Sequence, residues 1–155
     1  MKLERFAGPQ VSPMAIPQVP ASTPATPRKC VLIVEDNPLN MKLFSAMISA
    51  QGHEVLQAAD GSHALDLVHR RHPDLIIMDL QLPDMSGLDV TQSLKADDDT
   101  RAIPIIATTA YAQRGDETTI RASGCDGYMA KPIAISEFLE LVETFMTRSS
   151  RAHVA

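Results

Sequence analysis

The stretch that most constrains this chain is Leu75-Ile76-Ile77-Met78-Asp79, four apolar residues that end abruptly in a carboxylate. A run this short and this apolar fits a strand covered on both faces, as in a parallel sheet flanked by helices. Asp79 at its C-terminal end sets a charge at the mouth of such a sheet, where open α/β folds bind ligands. Cys30 to Val34 is a second short apolar run, and it also ends in acid, at Glu35 and Asp36.

Between and beyond these runs, strand and helix signals alternate. Asn37-Pro38 is a helix start, with Asp36 or Asn37 as the cap and Pro just inside. That helix is expected to run to about Gln51 and stop at Gly52. Glu54 to Ala58 reads as a short strand. Asp60 or Ser62 opens a second helix, which ends before His72-Pro73 because the residue preceding a proline is pushed out of the α region. Ser86 or Gly87 leads into a third helix. Ile103 to Ala107 reads as a fourth strand, with Thr109 at its close. A fourth helix is expected over Gln113 to Ser123, stopping at Gly124. Tyr128 to Ala130 reads as a fifth strand, Lys131-Pro132 turns the chain, and Ser136 caps a last helix reaching Met146. Its Phe138, Leu139, Leu141, Val142 and Phe145 form an apolar stripe at helical spacing.

Five strands alternating with five helices indicate an α/β fold with a doubly wound parallel sheet. In the flavodoxin-like order 2-1-3-4-5 the first and third strands are neighbours and flank the switch point. Glu35, Asp36 and Asp79 then share one crevice. Residues 1–29 hold six of the eleven prolines and no helical or strand period. They read as a disordered Pro-rich extension: an inert segment, a docking tail, or a start placed too early, with Met14 as a later one. The folded domain is expected over 30–148, followed by a disordered tail at 149–155.

Composition excludes several classes of function. No apolar run approaches the roughly 20 residues that a membrane span needs. With only Cys30 and Cys125 there is no disulfide framework, and the expected compartment is the cytoplasm. Residues 1–29 carry a net +3, which leaves −8 on the remainder of a chain of net charge −5. An acidic body argues against direct nucleic-acid binding, which wants a basic face.

Two like charges about 4 Å apart repel by roughly 4 kcal/mol at an effective dielectric near 20. Three carboxylates in one crevice therefore call for a proton or a cation. An all-oxygen set with an open side suits Mg²⁺, with Mn²⁺ as the alternative. Thr109 and Lys131, at the ends of the fourth and fifth strands, add a hydroxyl and an ammonium over the same edge. Together they form a cradle for a phosphoryl group carried on a carboxylate. Thr108 beside Thr109 leaves the phase of that hydroxyl open. The five histidines form no ligand cluster, and Cys125 reads as a small loop or core residue.

In order and spacing, Glu35-Asp36, Asp79 with Pro83 and Gly87, Thr109-Ala110 and Lys131-Pro132 resemble the receiver domain of bacterial two-component response regulators. The resemblance runs from about Cys30 to Met146. The stretches Asp36 to Phe44 and Ile76 to Pro83, with Thr109-Ala110-Tyr111-Ala112 and Gly124-Cys125, are similar to stand-alone regulators of the DivK type, linked to cell-cycle or polarity control.

The resemblance implies a CheY-like fold and a set of roles. Asp79 is the nucleophile that takes a phosphoryl group from a phosphohistidine. Glu35, Asp36, Asp79 and the backbone carbonyl of Gln81 hold Mg²⁺. Lys131 pairs with the phosphoryl oxygens. Thr109, chosen over Thr108 because Ala110 follows it, is the switch hydroxyl, and Tyr128 the aromatic that moves with it. Lys131-Pro132 is expected to be cis. The implied partners are a sensor histidine kinase or histidine phosphotransfer protein and a downstream protein target, with no membrane or direct nucleic-acid contact. Such a protein is a phosphoacceptor that assists its own phosphoryl transfer and dephosphorylation, rather than an enzyme. Two rivals stand beside it. A phosphatase with an aspartyl-phosphate intermediate would carry a second Asp where Gln81 stands, and a non-phosphorylated scaffold would not need the acidic set. One further expectation concerns the first helix: at 100° per residue, Leu39, Met41, Leu43, Phe44, Met47 and Ile48 span about 200°, wider than a core face needs, so part of that surface is expected to dock a partner helix pair.

Overall fold

The computed structural model describes residues 28–110 and 116–154. Strands β1 (Cys30–Val34), β2 (Glu54–Ala58), β3 (Leu75–Asp79), β4 (Ile105–Thr109) and β5 (Gly127–Ala130) form one sheet in the order β2-β1-β3-β4-β5. All four pairings are parallel. Helices α1 (Pro38–Ala50), α2 (Gly61–Arg71), α3 (Gly87–Ala96), α4 (Asp116–Ala122) and α5 (Ile135–Val154) follow the strands in turn. This is the doubly wound architecture expected from the alternation. Among the described residues no helix is long and apolar enough to cross a membrane.

Alternation along the strands sorts the core into two layers. Leu32, Val34, Ile76, Met78 and Ala107 face α2 and α3, where Ala64, Val68, Val90 and Leu94 are buried. Val31, Ile33, Ile77, Ile106 and Met129 face α1 and α5. There Phe44 stacks on Phe138 at 5.0 Å between ring centroids and joins the two helices. Burying each such side chain contributes about 1.5–3 kcal/mol. All five residues of β3 are buried, as a central strand requires.

The helix starts follow local chemistry. Asn37 caps α1, its side chain accepting from the N–H groups of Leu39 at 2.9 Å and Asn40 at 3.1 Å. Capping therefore does not occupy Asp36. Asp60 caps α2 and Ser86 caps α3 in the same way. Gly52 (φ +90°) and Gly124 (φ +108°) take the left-handed turns beyond α1 and α4.

Several boundaries differ from the sequence expectation. Strand β4 starts at Ile105 rather than Ile103, because Pro104 has no N–H for the ladder and the Ile103 N–H closes a turn onto the Thr100 carbonyl at 3.1 Å. Helix α5 begins at Ile135, which puts Ser136 inside it rather than at its cap, and it continues to Val154. It thus runs past Met146 and over most of the stretch expected to be a disordered tail; no Pro or Gly follows Met146 to stop it. Lys29, assigned by sequence to the extension, is buried, and its carbonyl accepts the Glu54 N–H at 2.8 Å. Helix α4 is described from Asp116; its expected start at Gln113 lies outside the described residues, as do residues 1–27 of the extension.

Candidate functional site

Three elements end in charge at one edge of the sheet. Glu35 follows β1, Asp79 closes β3 and Lys131 follows β5, where its N–H extends the ladder to the Thr109 carbonyl at 2.7 Å. Glu35, Asp36 and Asp79 bring carboxylate oxygens within 4.8 Å of one another. Glu35 and Asp79 are buried, while Asp36 is exposed and leaves one side open. The Lys131 ammonium lies 3.1 and 3.3 Å from the two Glu35 oxygens and 3.4 Å from Asp79 Oδ2. Asp79 Oδ1 accepts the Gln81 N–H at 3.0 Å, which fixes the rotation of the carboxylate.

One ammonium among three carboxylates leaves the site short of positive charge. Burial raises the pKa of Glu35, the charge of Asp79 raises it further, and Lys131 opposes both. An all-oxygen donor set with one exposed member and a deficit of positive charge fits a hard divalent cation of the Mg²⁺ type.

The loop after Asp79 is anchored at two points. The Gly87 N–H donates to the Leu80 carbonyl at 3.0 Å. A Cβ at Gly87 would sit 2.3 Å from the Asp79 carbonyl oxygen, so only glycine permits this approach. Asp84 reaches the first turn of α2, where it accepts from Gly61 N–H at 2.8 Å, Ser62 N–H at 3.0 Å and Ser62 Oγ at 3.0 Å. Those donors, Gly61 first, hold its carboxyl below the ordinary range. Nothing local in the sequence announces this tertiary cap, since Asp84 reads as a turn residue after Pro83.

The remaining residues singled out by sequence fall around this cluster. Thr109 is buried at the end of β4, paired with Ala130. Tyr128 lies in β5 and packs against the α2–α3 layer of the core. Its hydroxyl donates to Glu117 Oε1 at 3.2 Å, which raises its pKa, and Arg121 lies 5.9 Å from the ring centroid. The Lys131-Pro132 bond is cis. Thr108, the other hydroxyl in the phase ambiguity, is the register partner of Asp79. No histidine joins the carboxylate group, which is the one cluster of possible metal ligands among the described residues.

Comparison with known proteins agrees with this geometry. The family model for the response regulator receiver domain matches residues 31–143. The polar-differentiation response regulators DivK of Brucella ovis and Brucella abortus are 52% identical over 118 residues, covering 76% of this chain and 96% of theirs. Among solved structures, the receiver domain of the sensor histidine kinase PA1611 from Pseudomonas aeruginosa is 34% identical with a TM-score of 0.72, over 78% of this chain and 99% of that one. That structure has a magnesium ion coordinated in its active-site cleft. The chemotaxis response regulator CheY4 of Vibrio cholerae is 25% identical with a TM-score of 0.73, over 77% of this chain and 99% of that one.

Proposed function

The chain belongs to the response regulator receiver family, and from that membership we propose that Asp79 accepts a phosphoryl group from a phosphohistidine on a sensor histidine kinase or phosphotransfer protein. The observation that carries this reading is the convergence of Glu35, Asp36, Asp79 and Lys131 at one sheet edge. Glu35, Asp36, Asp79 and the Gln81 carbonyl are the residues that would hold Mg²⁺, or Mn²⁺ in its place. The ion supplies charge neutralisation for the phosphoryl oxygens.

The rest is done by the chain. Phosphoryl transfer needs in-line positioning and electrostatic stabilisation more than acid–base chemistry. The Gln81 N–H holds Asp79 Oδ1, which leaves Oδ2 beside Lys131. Lys131 turns from the free carboxylate to the transferred group as negative charge moves outward. Thr109 then offers its hydroxyl to the phosphoryl oxygens, and Tyr128 follows by exchanging its Glu117 contact for a new position. The two states differ in surface, and a protein target reads the difference. The chain acts as a phosphoacceptor that assists its own loading and unloading. It works through proteins in the cytoplasm, in polar differentiation, for which its relatives are named, and in cell-cycle control.

The histidine-bearing partner docks on α1. Leu39 is 77% and Leu43 44% exposed, on the helix that follows Glu35 and Asp36, whereas Phe44 and Ile48 are buried. Leu39→Ser with Leu43→Ser should slow transfer from a histidine phosphoprotein by about tenfold or more, as expected for lost apolar anchors, while loading from a small acyl phosphate is unchanged. Equal transfer rates would remove α1 from the interface.

The direct test of the central role is intact mass after incubation with Mg²⁺ and a small acyl phosphate. Wild type should gain one phosphoryl group and Asp79→Asn none. Rapid turnover of many phosphate esters would instead indicate a phosphatase, and no adduct from either a small donor or a kinase would indicate a scaffold.

A further inference from the structure

Thr108 stands inside this site without a part in the reading above. It pairs in register with Asp79 on one side and Met129 on the other, so its side chain leaves the sheet on the face that they share. The residue is 1% exposed. Its hydroxyl is the one buried side-chain polar group without a hydrogen-bond partner among the described residues. The buried threonines Thr91 and Thr100 donate instead to the carbonyls of Gly87 at 2.9 Å and Leu94 at 2.7 Å. Val would fill the Thr108 position with the same shape and leave nothing unpaired. A buried hydroxyl retained there calls for a partner in another state of the site.

Two polar groups surround it. Asp79 is one strand away, at the usual spacing of about 4.8 Å. Lys131 starts beyond β5, and its ammonium ends between Glu35 and Asp79. Because β4 lies between β5 and β3, an ammonium that starts beyond β5 and ends beside Asp79 crosses the C-terminal end of β4, one residue beyond Thr108. Both groups are engaged, Lys131 with the two carboxylates and Asp79 Oδ1 with the Gln81 N–H.

We propose that Thr108 is a positioning residue whose hydroxyl gains its partner when Asp79 is phosphorylated, donating to Asp79 Oδ2 once Lys131 has left that oxygen. The proposal rests on Asp79 being the phosphoacceptor. A threonine oxygen sits directly on Cβ, so from a register-paired position it reaches the root of the Asp79 carboxyl rather than the phosphoryl group further out. Phosphorylation moves negative charge outward, Lys131 follows it, and the space over β4 opens between the hydroxyl and that carboxyl oxygen. A contact made in one state only shifts the balance toward that state. Thr108 therefore lengthens the life of the phosphorylated form.

The test compares full-length wild type, Thr108→Val and Thr108→Ser. Each is loaded with Mg²⁺ and a small acyl phosphate, the donor is removed, and adduct decay is followed by intact mass. The melting temperature of each unloaded protein is measured in parallel. Val should shorten the adduct lifetime about fivefold, the effect of one hydrogen bond of ordinary net strength, while raising the melting temperature of the unloaded protein. Ser should restore the wild-type lifetime. A hydroxyl with a merely structural role would move the melting temperature alone. An unchanged lifetime in Val, or a Ser variant that decays as Val does, overturns the proposal while Asp79 remains the acceptor. No adduct on wild type overturns the acceptor reading and this one with it.

Discussion

At the N-terminal edge of the sheet, Asp74 accepts the Cys30 N–H at 2.8 Å and Asp126 accepts the Ile105 N–H at 2.8 Å, each closing the start of a strand. Lys95 ties Asp126 at 3.0 Å and the Ile103 carbonyl at 2.8 Å, and His53 Nδ1 accepts the Lys29 N–H at 3.2 Å. At the C-terminal edge of the same strands, Glu35, Asp36 and Asp79 face one another with one lysine among them. The same residue type serves opposite ends. Below, acids satisfy backbone donors that would otherwise be orphaned. Above, they are held against one another in a way that only added positive charge relieves. Backbone donors are satisfied at one edge and unrelieved charge gathers at the other, joined by five-residue strands such as β3 that do not tolerate slippage.

This contrast can be broken from below. Asp126→Ala leaves the Ile105 N–H and the Lys95 ammonium without their carboxylate and should cost about 2 kcal/mol of unfolding free energy. Chemical denaturation reads that loss, and phosphoryl loading should stay at the wild-type level. Lost loading in a folded Asp126→Ala protein would mean that the two edges are not separable. From above, Mg²⁺ at ten times its dissociation constant should stabilise the wild type by about 1.4 kcal/mol. Chelation should reverse the gain, Asp79→Asn should shrink it and Asp126→Ala should keep it. No thermal shift at millimolar Mg²⁺ would remove the metal from the account.

The smallest effect is a pH slope from His53. Burial, the main cause, holds its folded-state pKa below the ordinary 6.5, with the charge of Glu143 opposing. As pH falls, the unfolded chain therefore takes up the proton first. Stability is full above pH 6.5, declines as pH falls through that value, and levels off below the folded-state pKa. His53→Gln keeps an acceptor for the Lys29 N–H and should flatten that part of the curve; an unchanged slope would assign it to another group.

The two edges also differed in how legible they were. The C-terminal edge announces itself through apolar runs that end in acid, and Glu35, Asp36 and Asp79 are adjacent to strands whose period is visible. The caps at Asn37 and Asp60 follow from local rules as well. The N-terminal edge is silent, because Asp74 and Asp126 act on backbone donors 44 and 21 residues away and look like ordinary loop acids in sequence. The start of β4 was misplaced because Ile103 is apolar but its N–H belongs to a turn. The end of α5 was misplaced because the apolar stripe stops at Met146 while the backbone, with no breaker, does not. In sequence only the Ala110 that follows separates Thr109 from Thr108; that Thr108 stands opposite Asp79 is a matter of register, which strand pairing alone supplies.

The most direct measurement locates the phosphoryl group. The protein is loaded with Mg²⁺ and an acyl phosphate, the mixed anhydride is reduced with borohydride to a homoserine, and the peptides are sequenced by mass spectrometry. Homoserine is expected in place of Asp79 alone, dependent on Mg²⁺ and abolished by chelation. Homoserine at another acid, or a phosphoryl group on a serine, threonine or histidine while Asp79 stays intact, would contradict that assignment.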